Sequence, residues 1–143
     1  MKPSKLLPAI VLLSLASCTP SPKPIEYGND MCDYCKMTIV DKQHAAEAVT
    51  KKGKAFKFDA VECLVHYLGE HGNEEYAFLL VNDYDNPGEM IPAESSYYLV
   101  SPNIPSPMGA YLSAFRTQER ARATQAEKEG EIFDWEALLN HMK

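Results

Sequence analysis

Sulfur-bearing side chains are concentrated in one short stretch of the N-terminal third of this sequence. Cys32 and Cys35 lie three positions apart, and Met37 follows two positions after Cys35. The run 38–40 comes next, and its β-branched residues predict a strand. Because side chains at i and i+2 of a strand share a face, an extended Cys35–Met37 segment would place a thiolate beside a thioether. Soft sulfur ligands of both kinds select Cu(I) over hard cations, so the stretch indicates a Cu(I) site.

A proline-rich loop supplies a further candidate ligand. Residues 101–109 contain three prolines and one glycine, which exclude a regular helix or strand there. A long irregular loop in a small domain is more often functional than idle. Packing explains Met108 poorly at the end of such a loop, so we expect its flexible thioether to reach over Cys35 and Met37.

Zinc is an alternative occupant of the same region. Cys32 and Cys35 could join Cys63 and His66 in a closed four-ligand site built from two pairs of ligands. That structural zinc site would leave Met37 without a purpose. Cys63 also lies among the apolar residues of a predicted helix, where we interpret it as a small core residue.

A thiol-disulfide redox protein is the second alternative. Thioredoxin-type pairs open a helix after a strand, whereas Cys32 and Cys35 precede a predicted strand. No cis-proline partner can be recognised in the sequence. The spacing is equally compatible with a resting disulfide between Cys32 and Cys35 that must be reduced before metal loading.

The first residues are interpreted as an export signal. Residues 1–17 combine two lysines with an apolar run that is too short for a permanent membrane span. The ending before Cys18 resembles the lipobox of bacterial lipoproteins, in which the cysteine is acylated after cleavage. An ordinary signal peptide with an incidental cysteine is the alternative. We expect Cys18 to be a lipid anchor, and residues 18–26, which carry three prolines, to form an extended tether that leaves the domain's orientation free.

Charge and length limit the function and the number of domains expected for the rest of the chain. The formal net charge is −6, so an acidic exported domain of this kind is not expected to bind nucleic acid. Residues 27–143 are enough for one domain with a hydrophobic core.

Hydrophobic patterning predicts an α+β fold built from two related modules, about 36–82 and 88–143. Strands are expected at 38–40, 45–50, 55–58 and 76–81 in the first module and at 94–100, 111–115 and 131–133 in the second. A helix capped by Asp59 should end near residues 71–73, a second should occupy 118–129, and a third should follow a cap at Asp134. Each module therefore has the order strand, strand, helix, strand, and the residue similarity between them is faint.

These residues together resemble the NosL family, the lipoprotein copper chaperones of nitrous oxide reductase maturation. The resemblance rests on the lipobox at Cys18, the Cys-x-Met at 35–37, the run 54–59 before the Cys63 helix, and the run 107–110 that leads into 114–115. Lys36 stands where family members often have glycine, so the local backbone is where this chain departs from the pattern.

The resemblance implies a non-catalytic protein that binds Cu(I) through Cys35 and Met37, with Met108 and Cys32 as further candidates. It also implies delivery of copper to an ABC-type maturation complex and then to nitrous oxide reductase. We expect a periplasmic protein held to a membrane through its lipid anchor. Thr19 replaces the aspartate that often retains such lipoproteins at the inner membrane, which favours the outer membrane.

Overall fold

Two antiparallel sheets and three helices make up the computed structural model, which describes Met1 and residues 19–143. The predicted signal segment from residue 2 and the predicted anchor Cys18 lie outside the described residues. The strands are β1 (Ala46–Thr50), β2 (Ala55–Phe58), β3 (Tyr76–Asn82), β4 (Met90–Pro92), β5 (Tyr97–Val100), β6 (Leu112–Phe115) and β7 (Glu131–Phe133). The helices are α1 (Val61–Glu70), α2 (Gln118–Lys128) and α3 (Trp135–His141).

The two sheets repeat one topology. In the first sheet the strand order is β2-β1-β3-β4, and in the second it is β6-β5-β7. Each module therefore places its first strand in the centre, its second strand on one side and the strand after its helix on the other side. β4 is an extra strand at the edge of the first sheet. The predicted pair of strand, strand, helix, strand modules in one α+β domain is confirmed.

Local sequence explains where several elements begin and end. Gly53 adopts a φ of 87° in the β1–β2 turn, where its N–H donates to the Thr50 carbonyl at 2.9 Å. Asp134 caps α3 as predicted, because its Oδ1 accepts from the Ala137 N–H at 2.8 Å. Thr117 caps α2 in the same way.

Helix α1 is shared between the two sheets. It packs against β1 and β2 of the first sheet and against β6 of the second. Ala46 and Ala48 of β1 join Leu64 of α1 and Leu112 of β6 in one buried apolar cluster. Burial of this continuous apolar surface is the main source of stability for both modules, and it fixes the first turn of α1 relative to the second sheet.

The second sheet is covered on both faces. Tyr98 of β5 and Ala114 of β6 are paired across the two strands, and their side chains face the cluster shared with α1. Leu99 and Phe115 face the opposite way, where they pack with Ala121 of α2 in a smaller cluster. The period of two along these strands therefore separates the shared core from the core of the second module.

Two predicted strands are wrong. Residues 38–40 form only one isolated bridge, between Thr38 and Met31, because the chain turns away directly after Val40. The predicted strand at 94–100 is divided: Ala93–Ser95 is a 3-10 turn and only Tyr97–Val100 is a strand. The Ser96 hydroxyl donates to the Pro92 carbonyl at 2.6 Å, which stabilises this turn in place of sheet pairing.

The predicted tether is partly bound to the domain. The Lys23 N–H donates to the Glu47 carboxylate at 2.6 Å, and Lys57 Nζ donates to the Pro24 carbonyl at 2.7 Å. Ile25 and Tyr27 pack against the shared core. The expectation that residues 18–26 form a free tether is therefore wrong from Lys23 onward, because these contacts hold the segment against β1, β2 and the core. In the part of the chain that the structure describes, no helix has the length and apolar character needed to cross a membrane.

The close approach of β7 to β5 gives a stability prediction. Gly130 has a φ of 108°, and a Cβ there would lie 2.2 Å from the Val100 carbonyl oxygen. We expect Gly130→Ala to lower the free energy of unfolding by about 2–4 kcal/mol, because strain and a backbone clash act together. Urea unfolding followed by circular dichroism measures this loss. Gly72→Ala is the matched control, since a Cβ there meets nothing within 4 Å; equal effects of the two substitutions would contradict the account.

Candidate metal centre

Three cysteines and one aspartate converge where the chain enters α1. One ligand atom from each of Cys32, Cys35, Asp59 and Cys63 lies within 4.8 Å of all the others. Cys32, Asp59 and Cys63 are buried, and Cys35 is half-buried. All three cysteines are free thiols, so the structure shows no disulfide between Cys32 and Cys35. This group, called the thiol cluster below, is compact enough for one metal ion.

Asp59 joins the two parts of the thiol cluster. The Cys35 thiol donates to Asp59 Oδ1 at 3.3 Å, and the Cys63 thiol donates to the same oxygen at 3.2 Å. Asp59 was predicted to cap α1, and that prediction is wrong. The N-cap residue is Ala60, which makes no side-chain cap hydrogen bond. The Asp59 carboxylate turns to the thiols instead, one of which lies four residues later on the first turn of α1.

A tight loop holds the first two cysteines. The Cys32 N–H donates to the Met37 carbonyl at 2.8 Å, and the Lys36 N–H donates to the Cys32 carbonyl at 3.0 Å. The Cys35 N–H points at Cys32 Sγ, 3.4 Å away. Lys36 adopts a φ of 65°, a left-handed conformation that favours glycine and costs an L-residue some strain. Position 36 is therefore one that glycine would occupy without this strain.

The extended Cys35–Met37 segment predicted from the sequence is not formed. The left-handed Lys36 lies between the two residues, so the rule that i and i+2 share a face does not apply. The register of the bridge instead places Met37 opposite Cys32, and opposed residues of an antiparallel pair share a face. The Met37 side chain is 56% exposed at the rim of the loop.

Met108 lies on another side of the thiol cluster. It lines a cleft of 420 Å³ together with Tyr34, Cys63 and His66. Its side chain is 43% exposed, so a partner molecule can reach the thioether. Met108 therefore shares a cleft with Cys63, which the sequence analysis had assigned to the core, while its reach over Cys35 and Met37 stays a prediction. Cys63 is both a core residue and a candidate metal ligand, because it is buried in the shared apolar cluster and its thiol belongs to the thiol cluster.

His66 does not enter the thiol cluster. It is exposed and stacks on Tyr34, with ring centroids 5.7 Å apart and an angle of 18° between the ring planes. The four-ligand set that the structure assembles therefore has Asp59 where the zinc hypothesis had His66. A signal for Asp59 was present in the sequence, because an aspartate directly after a strand and four residues before a helical cysteine can face that cysteine.

Hydrogen bonding makes the three thiols unequal. The Cys63 thiol has one proton, which Asp59 Oδ1 and Cys32 Sγ share. This hydrogen bond, followed by those from the backbone N–H groups of Cys35, Asp59 and Tyr34, lowers the pKa of Cys32 to about 6 against the opposing effect of burial. Burial is the largest cause that raises the pKa of Cys35 to about 11. The hydrogen bond to Cys32, then burial, raises the pKa of Cys63 far above its usual range. These shifts favour the thiolate form of Cys32 and the protonated forms of Cys35 and Cys63.

This arrangement suits a soft cation. Thiolates bind Cu(I) and Zn(II) strongly, and thioethers such as Met37 and Met108 select Cu(I). The buried cysteines can hold an ion, whereas the two exposed methionines are accessible to an incoming partner. The chemistry available is therefore binding and exchange of a metal ion.

Comparisons with known proteins agree with this architecture. The family model described as NosL matches residues 24–142. The copper-binding lipoprotein NosL of Stutzerimonas stutzeri is 27% identical over 148 residues, covering 93% of this chain and 78% of that protein. The crystal structure of the copper chaperone NosL from Shewanella denitrificans matches with a TM-score of 0.70 at 19% identity, covering 81% of this chain and 93% of that one. At this identity the structural likeness shows a shared fold.

The fold and the thiol cluster define a class of protein: a small two-module α+β domain with a candidate site for soft metals. The family match covers most of that domain, and the chain belongs to the NosL family. The resemblance inferred from the sequence is confirmed. The two relatives are described as a copper-binding lipoprotein and a copper chaperone, in agreement with the expectation of a non-catalytic protein.

The unequal thiols predict the number of protons released on metal binding. At pH 7.5 Cys32 is already ionised, so binding of Cd²⁺ by all three cysteines should release about two protons, from Cys35 and Cys63. Calorimetric titration in buffers of different ionisation enthalpy gives this number. The Cys35→Ser variant should release one proton fewer, whereas the control Cys32→Ser should release as many as wild type. The reverse order would contradict the assignment.

Proposed function

We propose that this protein is a Cu(I) carrier whose thiol cluster holds the ion and whose exposed methionines pass it on. The observation that carries the proposal is the convergence of three free thiols beside two solvent-exposed thioethers. Cys32, Cys35 and Cys63 supply a trigonal set of soft donors, which satisfies Cu(I) without a fourth ligand. Membership of the NosL family and the copper-binding descriptions of its relatives support the same cargo.

Exchange follows from the difference in exposure within the site. Cys32 and Cys63 are fully buried, so they shield the ion from adventitious loss. Met37 at the loop and Met108 at the cleft lie on the outside, where a neutral thioether can bind the ion weakly and keep contact with it as the thiolates release it. Because Cu(I) accepts low coordination numbers, an incoming ligand can attack before all three thiolates dissociate. The carrier can therefore bind tightly and still release its cargo to a partner.

The destination and location extend the same proposal. The recipient is the nitrous oxide reductase assembly pathway, reached through an ABC-type maturation complex, as the family resemblance implies. The protein works in the periplasm with a lipid on Cys18, in the outer membrane because Thr19 follows the anchor. The description of the Stutzerimonas relative as a lipoprotein supports the anchor. Because the segment from Lys23 onward is docked on the domain, only the few residues after the anchor would separate the domain from the membrane surface.

Structural zinc is a second candidate, favoured by one specific observation. The compact group contains a carboxylate and three thiols, a four-ligand set that a tetrahedral zinc ion accepts. Under this alternative Asp59 is a metal ligand, and neither Met37 nor Met108 contributes. Chelation of zinc should then unfold the domain, because a structural zinc ion contributes directly to folding.

Cu(I) affinity measured against a chromophoric chelator under reducing conditions tests the proposal. Cys35→Ser should weaken Cu(I) binding by more than about a hundredfold, since a buried ion loses an anionic ligand. Met108→Leu and Met37→Leu should each weaken it about tenfold or less, as expected for peripheral ligands. Met142→Leu is the matched control, because Met142 lines a different groove beside α3.

Two results would reject the copper carrier. One is Cu(I) binding that is unchanged by Cys35→Ser and by the two methionine substitutions. The other is a domain that unfolds when zinc is chelated and binds Cu(I) only after it has lost its fold. The second result would favour the structural zinc site with Asp59 as a ligand.

A further inference from the structure

Glu62 is a buried carboxylate that the proposed copper site does not use. It lies on the first turn of α1 beside Cys63, and only 2% of its surface is exposed. Its Oε1 accepts from the Ser106 hydroxyl at 2.5 Å and from the Ala110 N–H at 3.3 Å. Its Oε2 is buried without a hydrogen-bond partner among the described residues. Burial of a carboxylate is costly, so this position calls for a reason beyond packing.

The two groups that Glu62 holds flank Met108. Ser106 begins a β-turn in which Met108 occupies the third position, and the Gly109 N–H closes the turn to the Ser106 carbonyl at 3.0 Å. Gly109 has a φ of 78°, which suits the left-handed end of this turn. Ala110 follows immediately. Glu62 therefore accepts a hydrogen bond from Ser106, the first residue of the turn, and another from Ala110, the residue directly after its last.

The rest of the proline loop is attached elsewhere. At its base, the Ser101 N–H donates to the Tyr111 carbonyl at 3.0 Å. In the middle, Ile104 packs into the core of the second module. These contacts fix the loop to the second sheet, whereas Glu62 fixes its tip to α1. The carboxylate thus ties the turn that carries Met108 to the helical turn that carries Cys63.

We propose that Glu62 is a positioning residue that holds the Met108 thioether over the thiol cluster. This inference rests on the proposed function, in which Met108 is a peripheral copper ligand. Three observations carry it: Glu62, Cys63 and Met108 line the same cleft, the carboxylate accepts from both ends of the Met108 turn, and its second oxygen has no other partner. Glu62 itself binds no copper; it acts through the position of Met108.

A double-mutant cycle separates this role from a general effect on the fold. Glu62→Ala should weaken Cu(I) binding about tenfold, as removal of a group that orients a ligand commonly does. The same change in a Met108→Leu background should have no further effect, because the thioether that Glu62 positions is already absent. Glu62→Gln should restore wild-type affinity, since its carbonyl oxygen can replace Oε1 and its amide replaces an oxygen that has no partner to lose.

The metal-free protein gives a second readout. With methyl-labelled methionine, the NMR signal of Met108 should move toward its unfolded position in Glu62→Ala and return in Glu62→Gln. Ser106→Ala, which removes one of the two donors, should shift the signal partway. Glu119→Ala is the matched control, because Glu119 is an exposed glutamate on the first turn of α2. The Met142 signal should stay constant in all variants.

The outcomes distinguish the inference from the function on which it rests. An equal loss of Cu(I) affinity from Glu62→Ala with and without Met108 would overturn the positioning role, as would an unmoved Met108 signal in Glu62→Ala. If Cys35→Ser binds Cu(I) as tightly as wild type, or if wild type binds no Cu(I), the proposed copper carrier is rejected. In that case the NMR comparison still decides whether Glu62 sets the position of Met108.

Discussion

The hydrogen bonds from two thiols to Asp59 Oδ1 are the interaction on which the candidate site depends. Cys35 comes from a loop and Cys63 from the first turn of α1, and the shared carboxylate oxygen brings them together beside Cys32. The backbone around these residues is fixed by other contacts. Hydrogen bonds within the loop hold Cys32 to Lys36 and Met37, and the inner face of α1 packs in the core shared by the two sheets. The metal-free protein therefore holds its thiols close together before any ion arrives, which reduces the entropic cost of binding.

The repeated topology explains why a small domain can build such a site. Both modules place a helix after their second strand, yet among the described residues only the helix of the first module carries a cysteine, Cys63, in its first turn. In the second module the equivalent junction has Arg116 and Thr117, which pair with Asp83 and cap α2 respectively. The second module contributes instead through its proline loop, which brings Met108 to the cleft beside Cys63. Cys63 of the first module and the loop that precedes this module therefore supply the cysteines, and the second module adds the accessible Met108.

The sequence predicted the modules well because their strands follow alternating patterns and their turns contain glycine or a capping residue. It predicted the site only in part. Asp59 and Asp134 look alike in the sequence, each an aspartate before a helix, but only Asp134 caps; Asp59 faces a thiol four residues on. The Cys35–Met37 spacing identified the right residue types, while the left-handed Lys36, which local sequence does not reveal, decided their directions. The role of Cys63 could be recognised only from the tertiary fold. A cysteine among the apolar residues of a helix gives the same sequence pattern whether it is a core residue or a metal ligand.

X-ray absorption of the Cu(I)-loaded protein tests the central claim most directly, because it counts the sulfur atoms around the ion. We predict a first shell made only of sulfur in wild type, with at least the three cysteine sulfur atoms, and a shell with one sulfur fewer in Cys63→Ser, the variant that separates a cluster ligand from a core residue. A first shell dominated by nitrogen or oxygen, or one that keeps all its sulfur in Cys63→Ser, would contradict it.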